Sequence, residues 1–380
     1  MRILLVPSAY YPHVGGIEEL TRQLALVFKE RGHDAAVLTN RWPSGLPRSE
    51  VLDGIDVTRL RFPLPAKRLS AAGLFLATSP AAVTALIRHI HGWQPSIVHV
   101  IGAGPPSAYV AALHTWLRAS LVFTAQGELT FDAYGVFARS ATLLAGLRRI
   151  LRRADTVTAC SAFVMRDLEK LEEIRGPSYV IPNGVEPRDF ESVDPDEDFD
   201  PYVLGLGRLV PQKGFDLLID AFAAEEFAEF NLVLAGDGFE RDRLQARALE
   251  LGIDSRVRFV GAVARPRIAR LVRGARVFAL PSRGEPFGIA LLEAMAAGVP
   301  AVATAAGGIP EFARDGVNAL LVPPGDAKAL ATAIARLAFE PELRDRLIAR
   351  GRATAQAHAW ARIAARYEDI YRRVPSRRDA

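Results

Sequence analysis

Short apolar runs and amphipathic stretches alternate along the chain in a rhythm that fixes its class. Ile3–Pro7 is a continuous apolar run, Glu18–Arg31 repeats its apolar positions every three or four residues, and Gly32 ends it. The first predicts a strand and the second a helix; Ala35–Thr39 then predicts a second strand. After a proline-rich stretch the rhythm resumes. Ile97–Ile101 reads as a strand, Ala108–Arg118 as a helix, and Leu121–Thr124, Thr156–Ala159 and Tyr179–Ile181 as strands. Strands that are apolar throughout, rather than alternating, and that are separated by helices belong to a parallel sheet covered on both faces.

The pattern breaks once. Asp189–Asp200 is acidic and poor in apolar residues, which predicts a linker. Beyond it the strand–helix rhythm restarts, with strands predicted at Tyr202–Gly205, Asn231–Ala235, Val257–Val260, Val277–Pro281 and Pro300–Thr304. The expected organisation is therefore an N-terminal α/β domain over 1–190, an acidic hinge over 191–200 and a second α/β domain over 201–359. The amphipathic helix Trp360–Arg373 comes last, within a terminal segment 360–380.

Composition narrows the function classes. Half of the 380 residues are hydrophobic and 24% are charged, an ordinary globular balance with enough chain for about two to three domains. A single cysteine, Cys160, excludes an internal disulfide and cysteine-rich metal sites, and points to a reducing, cytoplasmic compartment. Seven histidines without a His-Glu-x-x-His spacing offer no metal motif, and His89 and His91 are two apart, so they do not share a helix face. Only five lysines accompany 42 arginines, and no basic block is interleaved with aromatics, so nucleic acid is not an expected partner. The chain opens directly on a strand rather than a signal peptide. Leu69–Ile87 carries no charge but is rich in Ala, Thr and Ser and contains Gly73 and Pro80, which favours a buried or loosely membrane-facing helix over a span. The arginines of LLAGLRRILRRAD, within Arg139–Arg153, give a face that suits either solvent or anionic lipid.

In open parallel sheets ligands bind at the carboxyl ends of the strands, so the strand–loop–helix junctions are the candidate sites. Gly15 and Gly16 precede the first helix and suit either a tight turn or close approach to an anion. Arg208 and Lys213 flank a proline-containing turn ahead of a helix near Phe215; they are either a diphosphate-binding cation pair or surface solvation. The third glycine of a dinucleotide fingerprint is replaced by Val210. Residues 279–304 form strand, loop, Ala-rich helix and strand. Glu285 lies in the loop, Gly288 opens the helix with free N–H groups expected at Phe287–Ile289, and Glu293 lies on it. A carboxylate in so apolar a helix needs partners, either ribose hydroxyls or an internal ion pair. Gly307 and Gly308 suit either close backbone approach to a ligand or a structural turn.

These segments resemble a known family. GGIEE, IPNGVE, GRLVPQKGFDLLIDAF, LAGDG, the Glu285–Glu293 pair and GGIPEFARDGVNALLVPPGD, in this order, resemble retaining glycosyltransferases of family 4, from Met1 to the last helix. The resemblance implies a GT-B fold, two Rossmann-like domains about a cleft, with the last helix crossing back onto the first domain. It implies a nucleotide-sugar donor, a UDP-sugar slightly favoured, a transferred hexose, an unidentified acceptor hydroxyl, and neither a bound cofactor nor a metal. By the same resemblance Arg208, Lys213, Gly288 and Ile289 meet the diphosphate, with Gly15 and Gly16 bordering it from the other domain. Glu293 meets ribose, Glu285, Phe287 and Gln126 meet the sugar, and Ala262 and Val263 flank the nucleobase. Gln126 stands where many members have histidine, so a proton-transfer role there is not expected. The alternatives are a two-lobed sugar- or nucleotide-binding module without turnover, or a dinucleotide-dependent oxidoreductase.

Overall fold

The computed structural model describes all residues except Val14, 66–68, 133 and 134, Ser192, Glu197, Asp200 and 376–380, and omits the side chains of 69–74. The chain divides into two compact units, Met1–Pro182 with Trp360–Ala380, and Asn183–Ala359.

The first unit is built on an eight-stranded sheet: β1 Arg2–Pro7, β2 Asp34–Asn40, β3 Ser49–Leu52, β4 Ile55–Leu60, β5 Ile97–Ile101, β6 Ser120–Ala125, β7 Thr156–Ala159 and β8 Ser178–Val180. Their order is β3-β4-β2-β1-β5-β6-β7-β8. All pairs are parallel except β3–β4, a hairpin turning at Asp53 and Gly54, both with positive φ. β1, β5 and β6 are almost wholly buried, as their unbroken apolar runs require. Strand order reverses between β1 and β5, which places a crevice at their carboxyl ends.

The helix Trp360–Arg373 closes this unit. Trp360, Ile363, Tyr367, Ile370 and Tyr371 share a core with Ile3, Leu5, Leu24 and Phe28. Buried polar groups fix its register. His99 of β5 sits between Thr124 Oγ1 at 2.6 Å and the Tyr371 hydroxyl at 2.7 Å. Burial pulls the His99 pKa down to about 3, so the ring is neutral. Glu368, buried on the same helix, accepts hydrogen bonds from Arg31 Nη2 at 2.9 Å and Arg372 Nη2 at 3.2 Å and lies 3.1 Å from His33 Nε2. Arg31 first, with His33, holds the Glu368 carboxyl below the usual carboxylate range.

The second unit carries β9 Tyr202–Leu206, β10 Asn231–Ala235, β11 Val257–Gly261, β12 Val277–Leu280, β13 Ala301–Thr304 and β14 Leu320–Val322, all parallel in the order β11-β10-β9-β12-β13-β14. Here the reversal falls between β9 and β12.

The stretch expected as a hinge is not a free linker. The units divide at Pro182, ahead of the expected boundary at 190, and the acidic stretch packs on the second unit. Phe190 is buried, and Arg273 Nη1 donates to its carbonyl at 2.7 Å. Asp196, also buried, lies 3.8 Å from Arg267, and its N–H reaches the Arg270 carbonyl at 3.0 Å. Asp189 and Asp196 thus pair with the arginine-rich helix Arg265–Gly274, while Glu191, Asp194 and Asp198 face solvent. Leu69–Trp93 is one helix containing Pro80, and among the described residues no helix is long and apolar enough to cross a membrane.

Candidate functional site

In the second unit the loops after β9 and β12 meet at the reversal point, and both carry predicted residues. Gly207, with φ +153°, leads out of β9. A Cβ on Gly236, the residue after β10, would lie 1.8 Å from the Gly207 carbonyl oxygen, so glycine is needed for the two turns to stack. Arg208 is exposed on this loop. A single 3₁₀ turn, Pro211–Lys213, then delivers Lys213, and the helix Phe215–Phe222 starts after Gly214.

Lys213 and Glu285 are brought together: Nζ donates to Glu285 Oε2 at 2.7 Å. Ser282 Oγ donates to the same oxygen at 3.0 Å, and Thr304 at the end of β13 donates to the Ser282 carbonyl. Glu285 is 7% exposed, so its charge is met by an ammonium and a hydroxyl rather than by water. The loop backbone is held as firmly. Gly308 N–H donates to the Glu285 carbonyl at 2.9 Å, and a Cβ on Gly307 would lie 2.0 Å from that oxygen. The Gly307–Gly308 turn therefore supports Glu285.

Neighbouring charges, unmarked in the sequence, brace the site. Arg283 makes a bidentate pair with Asp216, at 2.8 and 2.7 Å, and donates to the Pro211 carbonyl at 2.9 Å. Burial pushes the Asp216 carboxyl up, but Arg283, with Arg243, outweighs it and leaves the pKa below the usual value. The Lys213 turn is thus riveted to the Glu285 loop.

Gly288 caps the helix Ile289–Ala297 at φ +108°, a conformation glycine adopts without strain. Phe287 turns its ring inward, stacking on Phe312 at 4.7 Å with a 26° tilt, so what it offers a ligand is backbone. Ile289 is half-buried. Glu293 is 4% exposed and forms an ion pair with Arg265 Nη1 through Oε1; Arg265 Nη2 lies 3.6 Å from Asp189. Arg265 opens the helix directly after the loop with Ala262 and Val263, at the carboxyl end of β11.

Gly15, Gly16 and Gln126 belong to the first unit. Gly15 is extended and caps the helix Gly16–Glu30, and a Cβ there would lie 2.7 Å from Glu18 Oε2. Gln126, half-buried after β6, donates its backbone N–H to Glu128 Oε2 at 3.0 Å. Glu128 Oε1 accepts from Ala103 N–H at 2.9 Å, strapping the loops after β5 and β6 together on one side of the crevice. Burial raises the Glu128 pKa against these backbone bonds. No sequence pattern marks Glu128 for this role, although its place two residues beyond Gln126 is a signal that could have found it.

Two Rossmann-like parallel-sheet units in one chain are the GT-B architecture, and the similarities to known proteins agree. A sucrose-phosphate synthase from Thermosynechococcus elongatus has the same fold, with a TM-score of 0.81, 26% identity and 98% of each chain covered. HepE of Anabaena, solved with UDP, gives a TM-score of 0.75 at 22% identity over 97% of this chain and 99% of its own. In sequence, the phosphatidyl-myo-inositol mannosyltransferase of Mycobacterium leprae is 29% identical over 385 residues, covering 98% of this chain and 97% of the relative. Residues 14–189 match the model described as Glycosyltransferase Family 4 and residues 187–354 the one described as Glycosyl transferases group 1. The chain belongs to this family and is a glycosyltransferase.

Proposed function

We propose that the protein transfers a hexose from a nucleotide-sugar, a UDP-sugar slightly favoured, to an acceptor hydroxyl with retention of anomeric configuration. The observation that carries this reading is the Lys213–Glu285 pair at the strand-order reversal of the second unit. An incoming diphosphate takes Lys213, with Arg208, as its counter-charge, and Glu285 is released to accept hydroxyls of the transferred sugar. Glu293 holds the ribose, backbone at Gly288 and Ile289 meets phosphate, and Ala262 and Val263 border the base. HepE, solved with UDP and with UDP-glucose, supports the choice of donor.

The barrier lies in departure of the diphosphate, whose growing charge Lys213, Arg208 and the N–H groups after Gly288 stabilise. The anomeric carbon–phosphate oxygen bond breaks as the acceptor oxygen bonds to the same face. The acceptor's proton passes to the leaving phosphate oxygen. With two cations in place, no metal is required.

UDP, GDP and ADP are each added to the purified protein, and the one that fits raises its melting temperature. The matching nucleotide-sugar should be slowly hydrolysed without acceptor, in EDTA as in buffer, and proton NMR should find the released sugar first as the donor's anomer. The reading fails if no nucleoside diphosphate stabilises the protein, or if EDTA abolishes turnover and magnesium restores it.

We also infer a cytoplasmic location, from the lone buried Cys160, with contact to anionic lipid. Arg149, Arg152, Arg153 and Arg175 line a concavity of about 430 Å³ on the first unit. Leu143, Leu147, Ile150 and Leu151 bury the opposite face of the helix Ala141–Arg153.

A further inference from the structure

Glu293 and Arg265 are 28 residues apart, on different helices, and meet inside the second unit. A carboxylate 4% exposed on a helix as apolar as Ile289–Ala297 is costly unless a counter-charge reaches it. Arg265 supplies that charge in one way only: its Nη1 engages Oε1, and among the described residues no hydrogen bond is made to Oε2. The guanidinium is held from its other side by Asp189, 3.6 Å from Nη2, and its own side chain is 28% exposed. The carboxyl group is thus fixed at one oxygen and open at the other. A planar guanidinium with two anchored nitrogens also fixes the carboxylate's plane, which a lysine in its place would not do.

We propose that Arg265 is the positioning residue of the ribose subsite: by pinning Glu293 Oε1 it aims Oε2 at a ribose hydroxyl and so makes the protein select ribonucleotide over deoxyribonucleotide donors. This rests on the reading of Glu293 as the ribose ligand. Asp189, in the acidic stretch that packs on the second unit, is then a member of the same device, because it holds the guanidinium against rotation. Discrimination arises because a deoxy sugar leaves Oε2 without the hydroxyl donor that a ribose presents to it.

The test takes whichever of UDP, GDP and ADP stabilises the wild type most, and its 2′,3′-dideoxy form. Dissociation constants for both are measured by calorimetry on wild type, Arg265→Gln and Asp189→Asn. Wild type should prefer the ribonucleotide at least tenfold. Arg265→Gln should bring that preference close to one while its affinity for the dideoxy nucleotide stays within about twofold of wild type. Asp189→Asn, which leaves both partners of the ion pair in place, should fall between. The proposal is overturned if wild type shows no preference, if Arg265→Gln keeps it, or if Arg265→Gln weakens both nucleotides equally. Arg265→Gln failing to fold shifts the decision to Asp189→Asn, where an unchanged preference counts against it. A wild type that binds none of the three nucleotides removes the donor-site reading itself, and the proposal with it, whereas equal weakening leaves that reading standing.

Discussion

Replacing Lys213 by methionine removes a charge at nearly constant volume, with two separable consequences. In the free protein Glu285, 7% exposed, loses the ammonium 2.7 Å away and keeps only the Ser282 hydroxyl. Breaking a fully buried ion pair costs about 3–5 kcal/mol. The Lys213 side chain is 19% exposed and water reaches it, so about 1–3 kcal/mol is the expected loss. For a unit the size of Asn183–Ala359 that lowers the melting temperature by roughly 2–12 °C, read by calorimetry. On the proposed reading the same substitution also removes a counter-charge to the leaving diphosphate during turnover, about 3–4 kcal/mol, or roughly 10²–10³-fold in kcat. The double variant Lys213→Met/Glu285→Gln separates the two. With no unpaired buried charge it should recover most of the lost stability and none of the lost turnover. Wild-type turnover in Lys213→Met would end the assignment. Recovery of turnover in the double variant would show that Lys213 serves only to neutralise Glu285.

Two further expectations concern the first unit. His99 is neutral when folded and takes up a proton below about 6.5 when unfolded, so stability should fall as pH drops from about 6.5 towards 3, by at most about 1.4 kcal/mol per pH unit. Trp42, Trp93, Trp116 and Trp360 all lie in that unit, so urea unfolding followed by tryptophan fluorescence isolates it; His99→Gln should flatten the slope, and an unchanged slope refutes the neutral-ring argument. The arginine concavity predicts that vesicles containing phosphatidylserine co-sediment the protein at low salt and neutral vesicles do not, and that Arg149→Glu/Arg152→Glu abolishes binding; equal binding to both vesicle types would dismiss it.

The parallel sheets are legible in the sequence because buried strands need unbroken apolar runs, and β1, β5, β6 and β9 have them. The β3–β4 hairpin is harder to see, although Asp53 and Gly54 form a recognised turn pair. Its inward positions run Ile55, Val57, Arg59, and an arginine there breaks the alternation. Arg59 is buried because Glu50 neutralises it and the Tyr11 carbonyl accepts its Nη2 at 2.7 Å. The same dependence on distant pairing explains the site. Lys213 and Glu285 each stand out locally, but the bond between them spans 72 residues and no local pattern encodes it. Arg265, Arg283 and Asp216 look like surface charge in the sequence, and the acidic segment looks unattached because its arginine partners lie far along the chain.

The helix Trp360–Arg373 completes a core begun by Ile3 and Leu5, with the whole second unit inserted between them in sequence. Domains commonly fold as units while the chain emerges from the ribosome. Here that order is inverted. Asn183–Ala359 has its full set of strands before the older sheet receives its last wall. Until then Leu24 and Phe28 have no helix over them, and His99 has no Tyr371 hydroxyl to meet. A stalled or nicked nascent chain would carry a finished second unit and an unfinished first one, whose exposed apolar face is the part a chaperone would recognise.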